Sequence, residues 1–432
     1  MSDWVDGLLA DVCVTIRAGG TPQTDNQNFY GGGIPFVTIE DISSVGRTIE
    51  TTARTLTAAG LNASAAWLVP PDHLLYSMYA TLGKVTRNTV SVATNQAILA
   101  IKPDEKLIAC DLLFYLLQFM ESSVASLSSQ TTQANLSADK VRKFKLKFPK
   151  SLPQQLRIAE ILSTLDEAIE QTETLIAKHQ QIKAGLMHDL FTRGVTLDGH
   201  LRPSREQAPD LYKDSPLGWI PKEWEIAPLL SFSTSRLGGF VNGPFGSDLL
   251  TSELTDSGVV VIYVQDIKGD GYIRVSNAYV TEEKANELLV CNVRLGDVLV
   301  AKVGDPPGIA AAYTEEQRAV VTQDVIRIRP ADDAVTQFLA GLLNATVGSR
   351  AIRRITIEGT RARVSLTEFK CLLLPKPTSK EQQVIADKMS AAQQVLSAFT
   401  FELRKLKTQK HGLMHDLLAD RVRVPEPTHV TV

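Results

Sequence analysis

The sequence predicts an α/β (α+β) fold in which two similar globular domains are separated by two long antiparallel helices that form a coiled-coil spacer. Two observations carry this prediction. Several stretches recur in the same order, 225 to 227 positions apart. Two further segments show the 4-3 apolar spacing that is typical of long amphipathic helices. Together they indicate an internal duplication with pseudo-twofold symmetry.

The clearest repeat is the hexamer GLMHDL, which occupies residues 185–190 and again 412–417. Three weaker pairs support it, and each keeps its order along the chain. These pairs are IPFVTIEDI (34–42) with VVIYVQDI (260–267), PDHLLYSM (71–78) with GDVLVAKV (296–303), and TNQAILAIKP (94–103) with TQDVIRIRP (322–330). A period this long indicates a duplicated domain and not a solenoid repeat.

Each half begins with short β-branched runs between Gly and Pro turns, which predict strands. A helical segment follows at 111–127 and at 335–354, and then one more short strand. Each half closes with a long amphipathic segment. Its first copy places Ile158, Leu162, Leu165, Ile169, Thr172, Ile176, His179, Lys183, Leu186 and Leu190 on one seam, and its second places the residues 227 positions later there.

Boundaries follow from this pattern. We expect domains over 1–152 and 221–377, spacer helices over 153–192 and 378–420, a linker over 193–220 and a tail over 421–432. The linker prediction rests on the Pro, Gly and charged residues of that stretch. TSKE (378–381) has the spacing of a capping box at the start of the second helix.

Composition limits the classes of function. The 432 residues carry a net charge of −3 with 44% hydrophobic residues, so the chain lacks the strongly basic character of a protein that binds nucleic acid unaided. Its four cysteines form no CxxC pair, which disfavours a zinc ribbon. We find no signal peptide pattern and no long apolar run, so we expect a soluble cytoplasmic protein.

The sequence lacks the common motifs of nucleotide, methyl-group and metal-dependent catalysis. No NPPY-like tetrapeptide, phosphate loop or HExxH is present, and GDPPG (304–308) lacks the aromatic residue that stacks on a flipped base. His188 and Asp189 of GLMHDL are neighbours on a helix and point about 100° apart, so they do not form an orienting pair. A nuclease or methyltransferase is therefore disfavoured.

The stretch LGWIPKEWEI opens the second half. ANLSADKVRKFKLKFPKSLPQQLRIAEIL and its counterpart LLLPKPTSKEQQVIADKM lead from each domain into its long helix, and GLMHDLF ends the first of these helices. In these motifs, and over almost its whole length, the chain resembles the specificity (S) subunits of Type I restriction–modification systems. This resemblance implies two target-recognition domains that each read one half of a bipartite DNA site. It also implies helices that set the spacing and dock two methyltransferase (modification) subunits, which restriction (endonuclease/translocase) subunits join.

The same resemblance implies that the chain is not an enzyme and needs no cofactor. S-adenosylmethionine is expected in the methyltransferase, and ATP and Mg in the restriction subunit. The alternative is a coiled-coil scaffold with two protein-binding α/β modules and no direct DNA role. The loops YATLGKV and VGDPPGIA differ between the halves, so we expect different half-sites.

Candidate DNA-binding residues combine amides that suit adenine with cations that suit phosphate or guanine. The first half offers Lys84, Arg87, Asn95, Gln96, Gln130, Thr131, Gln133 and Asn135. The second half offers Lys302, Gln323, Arg350, Arg353, Arg354, Arg361 and Arg363. A solvated surface residue is the alternative at each position. The predicted partner-binding residues are Met187, His188, Met414 and His415; packing of the helix ends is the alternative for them.

Overall fold

The computed structural model describes residues 3–128, 136–196, 198–236, 238–332, 334–357, 359 and 362–424. The chain divides into two compact units, residues 1–174 with 401–432 and residues 175–400. Each unit therefore contains one of the predicted domains and one portion of both long helices. The prediction of two similar domains with two long helices is confirmed.

The first unit is built on two sheets. Its described strands are β1 (Trp4–Leu8), β2 (Cys13–Ala18), β3 (Tyr30–Val37), β4 (Thr48–Ile49), β5 (Arg54–Leu56), β6 (Leu74–Ser77), β7 (Val85–Asn88), β8 (Ala93–Thr94), β9 (Ile98–Pro103) and β10 (Lys145–Pro149). One sheet has the order β2-β9-β6-β7-β4 and the other β5-β3-β8. Separately, β1 pairs with β10, the strand that leads into the long helix.

The helices of this unit pack around its two sheets. They are α1 (Ile39–Ser44), α2 (Ala58–Asn62), α3 (Cys110–Phe119), α4 (Glu121–Ser128), α5 (Ala138–Arg142) and the first part of α6 (Leu152–Thr192), with 3-10 turns at Leu9–Val12 and Gln27–Phe29. The prediction 153–192 for the first spacer helix matches α6 closely. Apolar residues of α3, β6 and β9 form one core with Ile158 and Leu162 of α6.

The second unit repeats the plan. Its described strands are β11 (Tyr212–Lys213), β12 (Ile220–Pro221), β13 (Glu225–Pro228), β14 (Phe240–Asn242), β15 (Val259–Ile262), β16 (Ile267–Lys268), β17 (Gly271–Tyr272), β18 (Tyr279–Val280), β19 (Asn292–Val293), β20 (Val298–Ala301), β21 (Ala310–Ala312), β22 (Ala319–Val321), β23 (Val325–Ile328), β24 (Thr356–Ile357), β25 (Arg363–Val364) and β26 (Leu373–Lys376). The two main sheets have the orders β14-β23-β20-β21 and β18-β15-β22-β19.

Its helices are α7 (Glu282–Glu287), α8 (Thr336–Asn344), α9 (Thr346–Arg354), α10 (Leu366–Lys370) and α11 (Ser379–Leu418), with 3-10 turns at Pro209–Leu211, Leu229–Phe232, Thr251–Glu253, Val264–Asp266 and Leu289–Cys291. The match to the first unit extends to strand pairing, because β13 pairs with β26 as β1 pairs with β10. The second spacer helix ends two residues before the predicted boundary.

The long helices pair in an antiparallel manner within each unit. In the first unit Lys410 contacts Asp166 at 2.6 Å and Lys407 contacts Glu173 at 2.7 Å. In the second, the rings of His179 and Phe399 lie 5.1 Å apart. Every predicted seam position of both helices is buried or half-buried. The seam prediction is thereby confirmed.

The predicted linker 193–220 is wrong as a description of structure. Val195, Tyr212 and Ile220 are buried in the second unit, and the Arg202 side chain is only 7% exposed. Arg202 forms an ion pair with Glu381 at the start of α11 and a second with Glu223. The polar composition misled the prediction because the charge of Arg202 is neutralised inside the fold and not by solvent.

That ion pair also alters the predicted capping box. Thr378 precedes α11 and its Oγ1 accepts the N–H of Glu381 at 3.4 Å, as the motif requires. The Glu381 carboxylate, however, accepts the N–H of Val195 at 3.0 Å and the guanidinium of Arg202. One half of the capping box is therefore present, and the acidic side chain instead binds the segment that follows α6.

Candidate nucleic-acid interface

Each unit contains a pair of parallel neighbouring strands whose carboxyl ends meet at a single edge; the first unit has a second parallel pair, β4 with β7, in its larger sheet. In the first unit β3 runs parallel to β8, and in the second β15 runs parallel to β22. Ligand crevices of α/β proteins form outside such strand ends. The predicted residues Asn95 and Gln96 directly follow β8, and Gln323 lies two residues after β22. The duplication therefore places three predicted amides at equivalent edges.

In the second unit this edge opens into a cleft of about 1160 Å³. The exposed side chain of Gln323 lies on its wall. The remaining wall mixes apolar and polar residues, and its polar members include Gln265, Ser276, Asn277, Asp305, Thr322 and Asp324. Amide and carboxylate groups of this kind form hydrogen bonds with the edges of bases, Gln and Asn with adenine and Asp with cytosine.

A buried aspartate holds the loop that forms one side of the cleft. Asp266 accepts the N–H of Tyr263 at 2.8 Å through Oδ2, and the N–H groups of Val275 and Ser276 at 2.8 and 2.7 Å through Oδ1. Gln265 lies between these anchored residues, so its backbone position is fixed. Polar side chains on a rigid loop lose less conformational entropy when they bind a ligand.

The first unit uses the equivalent aspartate in the same way. Asp41 accepts the N–H of Thr38 at 2.7 Å and that of Ala53 at 2.9 Å. Asp41 is 7% exposed and Asp266 is fully buried. The pairing of these two aspartates by sequence therefore reflects a common structural role, and Glu40 occupies the position that corresponds to Gln265.

Two glycines bring a second segment against each strand edge. A Cβ atom at Gly19 would lie 1.9 Å from the carbonyl oxygen of Thr94, and one at Gly243 would lie 2.1 Å from that of Thr322. Such distances exclude any side chain at either position. In the first unit this approach lets the Thr21 hydroxyl donate a hydrogen bond to Oε1 of Gln96.

The predicted arginine cluster adjoins the cleft of the second unit. The backbone N–H of Gly304 donates a hydrogen bond to the carbonyl of Ala362 at 3.2 Å, and that of Val364 donates one to the carbonyl of Lys302 at 3.1 Å. Those bonds tie the strand that carries Arg363 to the cleft wall. The described arginines of the cluster are all exposed and form no ion pair with any described residue: Arg350, Arg353, Arg354 and Arg363.

Lys302 itself is half-buried, and its N–H donates to the carbonyl of Asp324 at 2.8 Å. It therefore lies where the cleft meets the arginine-bearing segment. In the first unit Lys84 is also half-buried and lies in the turn between β6 and β7.

Arg87 is placed differently from the other predicted cations. Its guanidinium contacts Asp72 at 2.6 Å and Asp111 at 3.1 Å. Burial by itself lowers the pKa of Arg87, but the hydrogen bond that it donates to Asp72 and the nearby acidic charges outweigh this effect and raise the pKa. The same hydrogen bond lowers the pKa of Asp72. We assign Arg87 a structural role, because its donors already bind two carboxylates.

Five predicted DNA-binding residues, Gln130, Thr131, Gln133, Asn135 and Arg361, lie outside the described residues. They remain predictions.

The four predicted partner-binding residues fall into three environments. His188 is exposed, and Met187 is half-buried against the core of the second unit. Met414 is 7% exposed within the core of the first unit, so the prediction that it forms a docking surface is wrong for the folded chain. His415 packs edge-on against Phe119 with ring centres 5.8 Å apart. The C-terminal end of α11 therefore packs against the core of the first unit, a contact that the heptad pattern does not predict.

Sequence reasoning missed Gln265, Asn277, Asp305 and Asp324 of the cleft. The signal for Gln265 was present, because it precedes Asp266 in the repeat that matches Glu40 and Asp41. Asn277 lies outside the matched stretches, and the loop of Asp305 differs in sequence from its counterpart YATLGKV in the first half. Among the residues that the structure describes, no group of three or more His, Cys, Asp or Glu side chains is placed to hold a metal ion.

This geometry defines a DNA-recognition protein, with amides at equivalent strand edges of both units and, in the second unit, a cleft beside exposed arginines that form no ion pair with a described residue. A family model described as the Type I restriction modification DNA specificity domain matches residues 1–180 and 231–405. The chain therefore belongs to the Type I restriction–modification specificity family, whose members recognise DNA target sequences. The alternative of a scaffold without a DNA role finds no support.

Relatives agree with this assignment. The MjaVIII specificity subunit of Methanocaldococcus jannaschii is 22% identical over 317 residues, which cover 72% of this chain and 70% of the relative. The HindI specificity subunit of Haemophilus influenzae is 32% identical over 111 residues, covering 26% of this chain and 24% of the relative.

Solved structures share the fold. A chain reported in work on complex assembly and conformational transition of the type I R-M system gives a TM-score of 0.58 at 15% identity, covering 97% of this chain and 98% of that one. The Type I restriction–modification S subunit of M. genitalium gives 0.57 at 14% identity, with 96% of each chain covered. Across the helices that the structure describes, none is long and apolar enough to cross a membrane.

Proposed function

We propose that this chain is the non-catalytic specificity subunit of a Type I restriction–modification enzyme and that each domain reads one half of a bipartite DNA site. The observation that carries the proposal is the duplicated strand edge, which presents Gln96 in one unit and Gln323 in the other. Because the residues around the two amides differ, the two half-sites are different sequences. The loop that contributes Asp305 to the second cleft is part of this difference.

The arginine cluster supplies the electrostatic part of binding in the second half. Arg350, Arg353 and Arg354 are exposed on α9 and its C-terminal end. Exposed cations that contact phosphates release condensed counterions from DNA, which strengthens binding and makes it salt-dependent. The chain as a whole carries a net charge of −3, so this local cluster matters more than the total charge.

The partners are two methyltransferase subunits, which restriction subunits join. Support comes from the relatives, which are named as specificity subunits of Type I restriction enzymes. The methyltransferase modifies adenine with S-adenosylmethionine, and the restriction subunit uses ATP and Mg. This chain needs no cofactor of its own and acts in the cytoplasm.

The two long helices set the spacing between the half-sites. An insertion of about one helical turn, four residues, into α6 and α11 together changes the separation of the modified adenines and leaves both half-sites unchanged. Sequencing of methylated DNA measures the separation. If the separation stayed the same with intact assembly, another feature would set it.

The arginine cluster is tested by replacing Arg350, Arg353 and Arg354 together with alanine. We expect the assembled complex to bind its DNA about tenfold more weakly or worse at physiological salt. The slope of log affinity against log salt should fall in magnitude by about 2 to 3.

The control removes the same charge from Lys106, Lys178 and Lys222, which are exposed on other segments. For this control variant, the slope of log affinity against log salt should stay close to that of the unmodified chain. If both triple variants behaved alike, total charge and not this cluster would be responsible. If the arginine variant kept full affinity and slope, the cluster would not lie at the DNA.

A further inference from the structure

A pocket of about 320 Å³ lies in the second unit between α8, β21 and the β16–β17 hairpin. Met187 of α6 and Met389 of α11 contribute apolar side chains to the pocket wall, and Lys183 and Gln393 also line it. The lining also includes three residues that are exposed to solvent, Gly269, Asp270 and Thr314. The pocket is therefore accessible from outside the chain.

The duplicated fold identifies the same place in the first unit. Gln155 accepts the N–H of Ala109, the residue that caps α3, and Gln382 accepts that of Val335, which caps α8. These equivalent anchors align α3 with α8 residue by residue. Tyr115 then corresponds to Gly341.

Strand register gives a second correspondence. Leu74 of β6 pairs with Arg87 of β7, and Val298 of β20 pairs with Ala312 of β21. Leu74 and Val298 are equivalent in the structure because each faces the core shared with α3 or α8, and they pair with Ile101 and Ile328 respectively. Arg87 therefore corresponds to Ala312. Two large side chains of the first unit are thus replaced by the two smallest residues, Gly341 and Ala312, and both of these line the pocket.

Tyr115 shows what this place holds in the first unit. The ring is fully buried, and its hydroxyl donates to Oδ2 of Asp166 at 2.7 Å. The ammonium of Lys410 lies 5.5 Å from the ring centre and 2.6 Å from Asp166. Burial and the charge of Asp166 raise the pKa of Tyr115, so its hydroxyl stays protonated and remains a donor.

The second unit keeps the polar partners of this ring but lacks the ring itself. Lys183 lies at the heptad position of Lys410, and Gln393 lies at that of Asp166. The Lys183 ammonium donates to Oε1 of Gln393 at 2.5 Å. Both residues line the pocket, so a cation and a hydrogen-bonding group remain where the first unit holds a phenol.

The missing ring does not come from α8. A Cβ atom at Gly341 would lie 2.1 Å from Cε of Met389 and 3.0 Å from the ring of Phe191. Met389 therefore occupies the route by which a side chain on α8 would enter. A ring reaches the pocket only from its open side, past Gly269 and Thr314.

We propose that this pocket binds a tyrosine side chain supplied by the methyltransferase subunit that docks on the second unit. The ring lies between Met187 and Met389 with the Lys183 ammonium at its face, and its hydroxyl forms a hydrogen bond with Gln393. The proposal rests on the proposed function, because that function supplies the partner. It deepens that function by assigning a contact to only one of the two units.

The pocket is tested first without any partner, using p-cresol, the side-chain analogue of tyrosine, as the probe. An apolar cavity of smaller volume in another protein is known to bind benzene. We expect p-cresol to bind the full chain with a Kd of about 1 mM or tighter in calorimetry. Toluene, which lacks the hydroxyl, should bind several-fold more weakly; equal binding of the two would contradict the role of Gln393.

Two substitutions locate the binding. Ala312→Leu fills the pocket and should weaken p-cresol binding at least tenfold, while Lys183→Met removes the cation and should weaken it several-fold. The control Ala59→Leu makes the same chemical change at an exposed position of α2 and should leave binding unchanged. Unaltered binding in Ala312→Leu would overturn the location, and unaltered binding in Lys183→Met would overturn the cation contact.

Assembly is tested last, with the purified methyltransferase subunit. Ala312→Leu should weaken association several-fold, and p-cresol should compete with association for the unmodified chain but not for Ala312→Leu. If the unmodified complex forms and methylates its site while Ala312→Leu assembles equally well, the pocket is not a contact and the proposed function stands. If the unmodified chain fails to assemble at all, the proposed function itself fails.

Discussion

The place where the domain helix meets the long helix pair differs sharply between the two units. In the first, Tyr115, Asp166 and Lys410 form a closed network; in the second, Gly341 leaves a pocket beside Lys183. The anchors a few residues away are the same, since Gln155 and Gln382 cap equivalent helices. Positions that hold the scaffold are thus alike in both copies, whereas the positions that line the pocket of the second unit differ from their counterparts in the first.

The largest expected effect concerns an ion pair of the second unit only. Arg202 and Glu381 are 7% and 5% exposed, and replacing Arg202 with methionine leaves a buried carboxylate without its cation. We expect a loss of about 3 to 5 kcal/mol of the unit's unfolding free energy. Hydrogen exchange of its strands measures this separately from the first unit.

The control uses the first unit, where Gln154 lies at the position of Glu381. Gln154→Ala should change the stability of the first unit by less than about 0.5 kcal/mol. A loss below about 1 kcal/mol in Arg202→Met would show that the ion pair is not essential to the fold.

The shared anchors should respond alike. Gln155→Ala and Gln382→Ala each remove the acceptor of a helix-capping N–H at a fully buried position. We expect about 1 to 3 kcal/mol of destabilisation in each unit, measured by hydrogen exchange of α3 and α8. The exposed neighbour Gln383→Ala serves as the control; unequal losses from the two buried substitutions would break the equivalence of the scaffolds.

The smallest effect concerns the Tyr115 network. Tyr115→Phe keeps the ring and removes the hydroxyl that donates to Asp166, so we expect about 1 kcal/mol of destabilisation in the first unit and none in the second. Urea unfolding and hydrogen exchange measure it. Tyr79→Phe, at a half-exposed tyrosine, should be neutral. If Tyr115→Phe lost no stability, packing of the ring alone, and not its hydrogen bond with Asp166, would stabilise this part of the first unit.

Much of the fold could be predicted from sequence because the signals are local and occur twice. The 4-3 spacing predicted a helix over 153–192, and the structure has Leu152–Thr192. The repeat paired Asp41 with Asp266, which prove to hold equivalent loops. Amides predicted from position alone, Gln96 and Gln323, lie at equivalent strand edges.

The failures have a common physical cause. Whether a charged residue faces solvent or a partner depends on residues that are distant in sequence, as for Arg87 with Asp111 and Arg202 with Glu381. Met414 resembles Met187 in its local sequence, yet it is buried in the core of the first unit, whereas Met187 is only half-buried against the core of the second. Local patterns predict elements well, but they do not predict which surface a neighbouring element will cover.

The most direct test of the central claim is sequencing of methylated DNA from cells that carry Gln96→Ala or Gln323→Ala. If each domain reads one half-site, Gln323→Ala relaxes one half of the recognised motif and Gln96→Ala relaxes the other, with the spacing unchanged in both. If both substitutions altered the same half, or neither altered the motif, the account of two independent reading domains built on these edges would be contradicted.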